Sequence, residues 1–445
     1  MSLFLLIYFI CFAIVAKKTG YVAFCNVNFW LFTFWVLIVG VFFTSGIIYK
    51  YGHSPYVWLF LFTCGLFFYF GMIKSKKVKI NIFNKSLSRI PLKSYAFLGL
   101  LGMFLFSFDY IRLNGIASEK GNSNISLLGS FSSLFMPILL VLGLYLNALK
   151  IKNKGKFSVS GVLLIFGYTI PCMINAGRES ILFAIIGILC LYGYNVKLNK
   201  LGSQKHDVYI FKKIFIVFLL ICCVLFLGFL LVDISSSRFT DNEINVLLSE
   251  RNISISAIDE ASSWGPFMFL YYNIASYFSH QIPFLDLTLR EYNGPFLCGC
   301  YELNIISRRL PDFFGLDYNL VFSQYMRLFA INGESFSGGW NTVLGSLISD
   351  FSWVGTIFVC FWCGYINGLA KRKFQLTLDP RYATLVALFC LSTFSTIQLG
   401  PFFQTQIYGT YIWWYIFFRK EETKRIGKKT KRIVSVRSKS FCAPR

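Results

Sequence analysis

Residues 174 to 189 read INAGRESILFAIIGIL, with Arg178 and Glu179 side by side in an otherwise apolar run. A guanidinium is planar and permanently charged, and its fork of N–H donors matches a phosphate or carboxylate bidentately. Placing one at a bilayer centre costs at least about 2.5 to 3.5 kcal/mol and less at the edge, so such residues usually face a bundle interior or a polar cavity. Arg178 is therefore a candidate for holding an anionic group at a cavity mouth, helped by the donors and dipole of the helix that starts beside it. The alternative is an arginine that snorkels to lipid phosphate or pairs with Glu179. Arg290, Arg309 and Arg327 have apolar or aromatic flanks that set them near a membrane surface, the alternative for each being a solvated loop. Groups that can take a proton are His280 in YFSHQIPFLD, Asp350 in SLISDFSW and, more weakly, Glu334 in INGESF and Glu179. Asp350 directly precedes an apolar run, where partial desolvation would raise its pKa towards that of a useful base; the alternative is an N-cap. His280 is the one histidine expected on an interfacial helix, although a lone histidine is more often structural.

The elements that must carry these groups are apolar helices. The 445 residues are 56% hydrophobic, 19% aromatic and only 14% charged, with positive mean hydropathy, against roughly 25% charged in soluble globular domains. A bilayer core needs roughly 20 apolar residues per helix. That ruler predicts an all-α polytopic membrane protein with about 11 spans (10 to 13), near 2–16, 29–48, 56–73, 94–108, 126–148, 158–174, 179–194, 209–232, 352–370, 382–398 and 403–418. Lys17 and Lys18 follow the first span and no basic residue precedes it, so the N-terminus is expected outside, without a cleaved signal peptide.

Alternating sides from that start can be tested against the charges. The expected inner segments hold all but ten of the 43 basic residues, and only Asp207, Asp379, Glu421 and Glu422 of the 20 acids. This split follows the positive-inside bias, and places the C-terminus in the cytoplasm. The net charge of +23 is thus a topology signal with some affinity for anionic lipid, not a nucleic-acid footprint. The division expected is a bundle of about eight helices over 1–232, a large outer loop with surface helices over 233–351, further spans over 352–418 and a basic cytoplasmic tail over 419–445. A structureless loop as long as 233–351 is uncommon and usually functional. Its stretch WGPFMFLYYNIASYFSHQIPFLD is spaced like one or two helices at the membrane surface, and FSGGWNTVLGSLISD like a re-entrant or surface helix. Trp264, Tyr271, Tyr272, Tyr277 and Trp340 could stack on sugar rings or anchor the interface.

The sequence has no HExxH, no His/Cys cluster at ligand spacing and no DxD-like pair in the outer loop, so neither a metal nor a cofactor is expected. The thirteen cysteines are scattered, mostly through apolar runs, as small hydrophobes.

The turn AGRESILFAIIGI, together with the block NTVLGSLISDFSWVGTIFVCFWCGYINGLAKR at 341–372, resembles the bacterial O-antigen or oligosaccharide repeat-unit polymerases (Wzy-type). The match in the late block runs through Asn341, Thr342, Gly345, Asp350, Phe351, Gly355, Gly364 and Gly368, while Ser352 stands where that family more often has glycine. The resemblance implies an inner-membrane glycosyltransferase that polymerises undecaprenyl-pyrophosphate-linked repeat units at its periplasmic face. It also implies partners in a chain-length regulator and a flippase. Arg178, Arg290, Arg309 and Arg327 would then hold pyrophosphate, and His280, Asp350 or Glu334 would take the acceptor hydroxyl's proton. An O-antigen ligase using the same donor, or a flippase, is the alternative. A flippase should show two related halves, and no internal repeat is seen.

Overall fold

The computed structural model describes residues 2–18, 21–49, 53–78, 91–114, 126–174, 179–200, 253–254, 275–276, 278–292, 296, 298–299, 342–398 and 407–418. These form an almost wholly helical chain: α1 (Ser2–Lys18), α2 (Val27–Thr44), α3 (Pro55–Ser75), α4 (Leu92–Asn114), α5 (Leu127–Ser133), α6 (Pro137–Lys154), α7 (Val159–Ile174), α8 (Glu179–Lys200), α9 (Gln281–Glu291), α10 (Val343–Thr377), α11 (Pro380–Gln398) and α12 (407–418). Among the described residues, six helices are long and apolar enough to cross a membrane: α2, α3, α4, α5 joined to α6, α8 and α10. The chain is an all-α membrane protein. Helices also fall on the shorter predicted stretches at α1, α7, α11 and α12, while 209–232 lies outside the described residues.

Apolar residues surround most of these helices rather than forming one stripe, as expected where lipid solvates one side and protein the other. Burial then sorts them. The apolar stretches of α6 and α8 are 72% and 67% enclosed, against 28% for α2, α3 and α4. The core is centred on α6, where Ile138 to Leu142, Leu144 and Tyr145 are sealed against α4, α7, α8 and α11. Phe32, Phe62 and Phe97 of the outer helices are 68 to 72% exposed, which suits a lipid-facing surface. Starts and stops follow local chemistry. Pro137 opens α6, and Gly155, at φ +64°, closes it. Buried Asn147 satisfies both ends of its amide, donating to the Gly143 carbonyl at 2.8 Å and accepting from the Ser158 N–H at 2.9 Å. That accounts for a polar residue within the core.

The tightest pairing joins α3 to α10, which run parallel. Gly364 lies on the Phe68 backbone, Gly71 on the Phe361 carbonyl and Gly368 on Met72 and Ser75. Gly364 and Gly368 make a small-xxx-small pair, and their missing side chains let the two backbones touch. Arg372 then closes α3, donating from Nη1 to the carbonyls of Ser75, Lys76 and Val78.

The ends of the bundle differ in charge. One end gathers Lys76, Lys152, Lys371, Arg372 and Arg381: Lys371 donates to Asn26 Oδ1 at 3.0 Å, and the charge of Lys152 reaches Asp379. The opposite end carries Asp109, Asp286 and Asp350, each buried.

Candidate functional site

The carboxylate-bearing end is organised by α9. Gln281 to Thr288 of this helix are all buried, wedged between α3 and α10. Asp286 fastens it. One carboxylate oxygen accepts from the Ser54 backbone N–H at 3.0 Å, and the other from the Ser54 hydroxyl, so a single side chain grips the residue that starts α3. Arg290, one turn on, gives its Nε–H to Asp286 Oδ2 at 3.0 Å and lies 3.9 Å from Glu291. Its side chain remains 41% exposed. Arg290 therefore neutralises a buried structural carboxylate while presenting part of its charge outward.

The same construction recurs at α4. Asp109 accepts from the Ser126 N–H at 3.1 Å and hydroxyl at 2.6 Å, Arg112 lies 3.6 Å away, and Ser126 in turn caps α5. A buried carboxylate needs paired donors of this kind to offset its lost hydration.

His280 precedes α9 and is fully buried. Its Nδ1 lies 2.5 Å from the Ser276 carbonyl, which can only accept, so Nδ1 carries a proton. Phe284 packs edge-on at 5.6 Å. Next to it, the Ser279 hydroxyl meets the Tyr49 hydroxyl, which ties the start of α9 to the segment after α2.

Asp350 is also fully buried. It ends the first part of α10, which breaks at Ser352 (φ 66°, ψ 172°) before resuming as a long membrane helix. Asp350 is not the N-cap its position suggests. Thr342 Oγ1 caps the first part through the Gly345 N–H, and Ser352 Oγ caps the second through the Gly355 N–H, both at 3.3 Å. The physical reason is the kink, which makes the residue before the apolar run a helix end. Tyr292, at the end of α9, donates to the Ser349 carbonyl at 3.4 Å, and the Asp350 carbonyl accepts from the Cys298 N–H at 3.0 Å. Burial first, and the Asp350 charge second, push the Tyr292 phenol up to about 12. Tyr292 is thus a phenol held protonated beside a buried carboxylate.

No protein-family model, curated protein or solved structure matches the chain. The fold brings α9, with His280 and Arg290, against the segment of α10 that ends in Asp350. Arg178, Arg309, Arg327 and Glu334, like most of 233–351, lie outside the described residues. Among the described residues no group of His, Cys, Asp and Glu is placed to hold a metal ion. Two residues absent from the sequence reading matter here. The four-residue spacing of Asp286 and Arg290 on a helix is a legible ion-pair signal. Tyr292 carries no local signal, because its importance comes from α10, 57 residues away.

Proposed function

We propose that this protein is a membrane-embedded glycosyltransferase that polymerises oligosaccharide repeat units carried on undecaprenyl pyrophosphate, in the bacterial inner membrane. The observation that carries the reading is the late block NTVLGSLISDFSWVGTIFVCFWCGYINGL. It runs along one kinked helix whose Asp350 is buried beside Tyr292 at the end of α9. The positive-inside bias orients the basic end to the cytoplasm and this carboxylate-bearing end to the periplasm. Six helices long enough to span, enclosing a polar cluster at one end, suit a substrate that is half lipid.

In the reaction, an acceptor hydroxyl attacks the anomeric carbon of the donor glycan. The new glycosidic C–O bond forms as the C–O bond to pyrophosphate breaks, and the pyrophosphate leaves with the bond's electron pair. The hydroxyl proton passes to a base, for which Asp350 and His280 Nε2 are the buried candidates. The leaving group's charge needs cations, and Arg178 and the outward part of Arg290 supply them. Tyr292, protonated at all physiological pH, gives its one hydroxyl proton to the Ser349 carbonyl and so holds the end of α9 beside Asp350.

The test is the length of surface glycan in cells deleted for the protein and complemented with wild type, Arg178→Ala or Asp350→Asn, with membrane levels measured by blotting. Deletion should leave single repeat units on the surface anchor, and wild type should restore a ladder. Both variants, at normal membrane levels, should fail to do so. If deletion also abolishes the single-unit product, the reading gives way to a ligase or a flippase.

A further inference from the structure

The basic end holds cations that the proposed reaction does not use. Lys197 stands near the end of α8 and Lys371 near the end of α10, both half-buried. A lysine at the end of a membrane helix ordinarily runs outward and keeps its ammonium in water. These two turn inward instead. Lys371 Nζ donates to Asn26 Oδ1 at 3.0 Å, and Asn26 also caps α2 by accepting from the Asn28 N–H at 3.3 Å. Lys197 Nζ lies 4.4 Å from the centre of the Phe374 ring, which is buried and packs on Tyr194.

The arrangement concentrates positive charge. The charge of Lys371 acts on Lys197, and that of Lys76 acts on Lys371. Arg372 follows Lys371 and is fixed on the last carbonyls of α3. α2 begins at Asn26, so the positive end of its dipole adds to the same field. Among the described residues, the other groups facing the two lysines include no carboxylate: they are the Asn26 amide, the Phe374 ring and the thiols of Cys25 and Cys390. The described carboxylate at this end is Asp379, and Arg381 takes it through hydrogen bonds of 3.0 and 2.7 Å. An aromatic ring attracts a cation only weakly, and like charges drawn away from water repel more than at an open surface.

We propose that Lys197 and Lys371 form a binding site for a phosphate dianion, with Lys76 and Arg372 on its α3 side. Lysine binds phosphate as a point charge with three rotatable donors. Lys371 keeps two N–H donors besides the one given to Asn26, and Lys197 has its donors over a ring face. A dianion would offset both charges, whereas chloride or a carboxylate would offset one. The phosphate belongs either to a soluble phosphate or to the headgroup of a phosphomonoester lipid, since both lysines stand close to where their helices leave the bilayer. The site is at the end opposite Asp350, and its test does not depend on the reaction.

The experiment is thermal unfolding of the full chain purified in detergent, at constant ionic strength and about pH 8, where phosphate is doubly charged. Inorganic phosphate, phosphatidic acid and phosphatidylcholine are titrated separately. Wild type should be stabilised saturably by a phosphate dianion, and Lys371→Gln should weaken that binding at least about tenfold, the worth of one hydrogen bond to a charged group. Lys371→Arg should keep it, as should Lys154→Gln, which is at the same end but exposed on α6. If Lys371→Gln does not yield folded protein, Lys197→Met, which keeps an apolar stem on Phe374 and deletes the charge, should show the same loss. Stabilisation by phosphatidic acid alone would identify a lipid headgroup as the occupant, and stabilisation by inorganic phosphate a soluble one; both uphold the site. Absence of stabilisation by either, an equal effect of phosphatidylcholine, or the same response in wild type and the lysine variants would overturn it.

Discussion

At the residue scale, Ser352 is the position where the sequence and its backbone disagree most. Its φ of 66° and ψ of 172° fall in a region confined essentially to glycine, at a strain of about 1 to 3 kcal/mol. The sequence signalled this from one side only, as the serine standing where the resembling family more often has glycine. The hydroxyl gives something in return, since it caps the second part of α10 at the Gly355 N–H. Ser352→Gly should nevertheless raise stability by about 1 kcal/mol, because glycine removes the strain and costs only a few tenths as a cap. Ser352→Ala should lower it, keeping the strain and losing the acceptor. Thermal unfolding of the detergent-purified variants would decide, and a destabilised Ser352→Gly would mean that the kink is held by the hydroxyl instead. Asp350 and His280 were legible as chemistry-bearing residues, but not as fully buried ones. Burial is a property of what packs on a residue, and here that is a helix from a distant part of the chain.

The elements themselves were largely readable. Apolar length alone places helices wherever about 20 residues must cross lipid, and the described helices follow those stretches. Packing partners were not, because apolar residues on every side of a helix leave no stripe to say which face meets protein. Glycine spacing is the exception. Gly71 and Gly65 lie on the same helix, yet a side chain on Gly71 would strike the Phe361 carbonyl whereas one on Gly65 would meet nothing within 4 Å. Gly71→Ala should therefore cost about 1 to 3 kcal/mol, since backbone cannot move aside as a flexible side chain can. Gly65→Ala should be neutral or stabilise by up to about 1 kcal/mol through helix propensity. Equal effects on thermal unfolding would mean that α3 and α10 are not packed through their glycines. The burial of α9 was not legible for a related reason: a mixed segment of 11 residues gives no sign of whether its apolar side chains meet lipid headgroups or the groove between two helices.

For the whole molecule, the segregation of charge makes the clearest statement. Arg372 bonds the end of α3, Lys152 reaches Asp379, and Asp286 grips the start of α3, so each end of the bundle has a fixed membership. Reporter fusions ending after Lys76, Lys154 and Leu378 should be cytoplasmic, and fusions ending after His53 and Tyr292 should be external. A mixed pattern within either group would contradict the bundle, while a uniform inversion would keep the bundle and reverse the membrane orientation.

The sequence by itself determined the class of this protein, the course of its apolar helices and the sorting of its charges, because lipid imposes length and polarity on each segment independently. It also marked the turn at Arg178 and the block around Asp350 as places for chemistry. Only the tertiary structure decided that Asp286 and Arg290 belong to a clamp on α3, and that Asp350 ends a broken helix beside Tyr292. Each of these depends on contacts between helices far apart in the chain, which no local pattern of residues records.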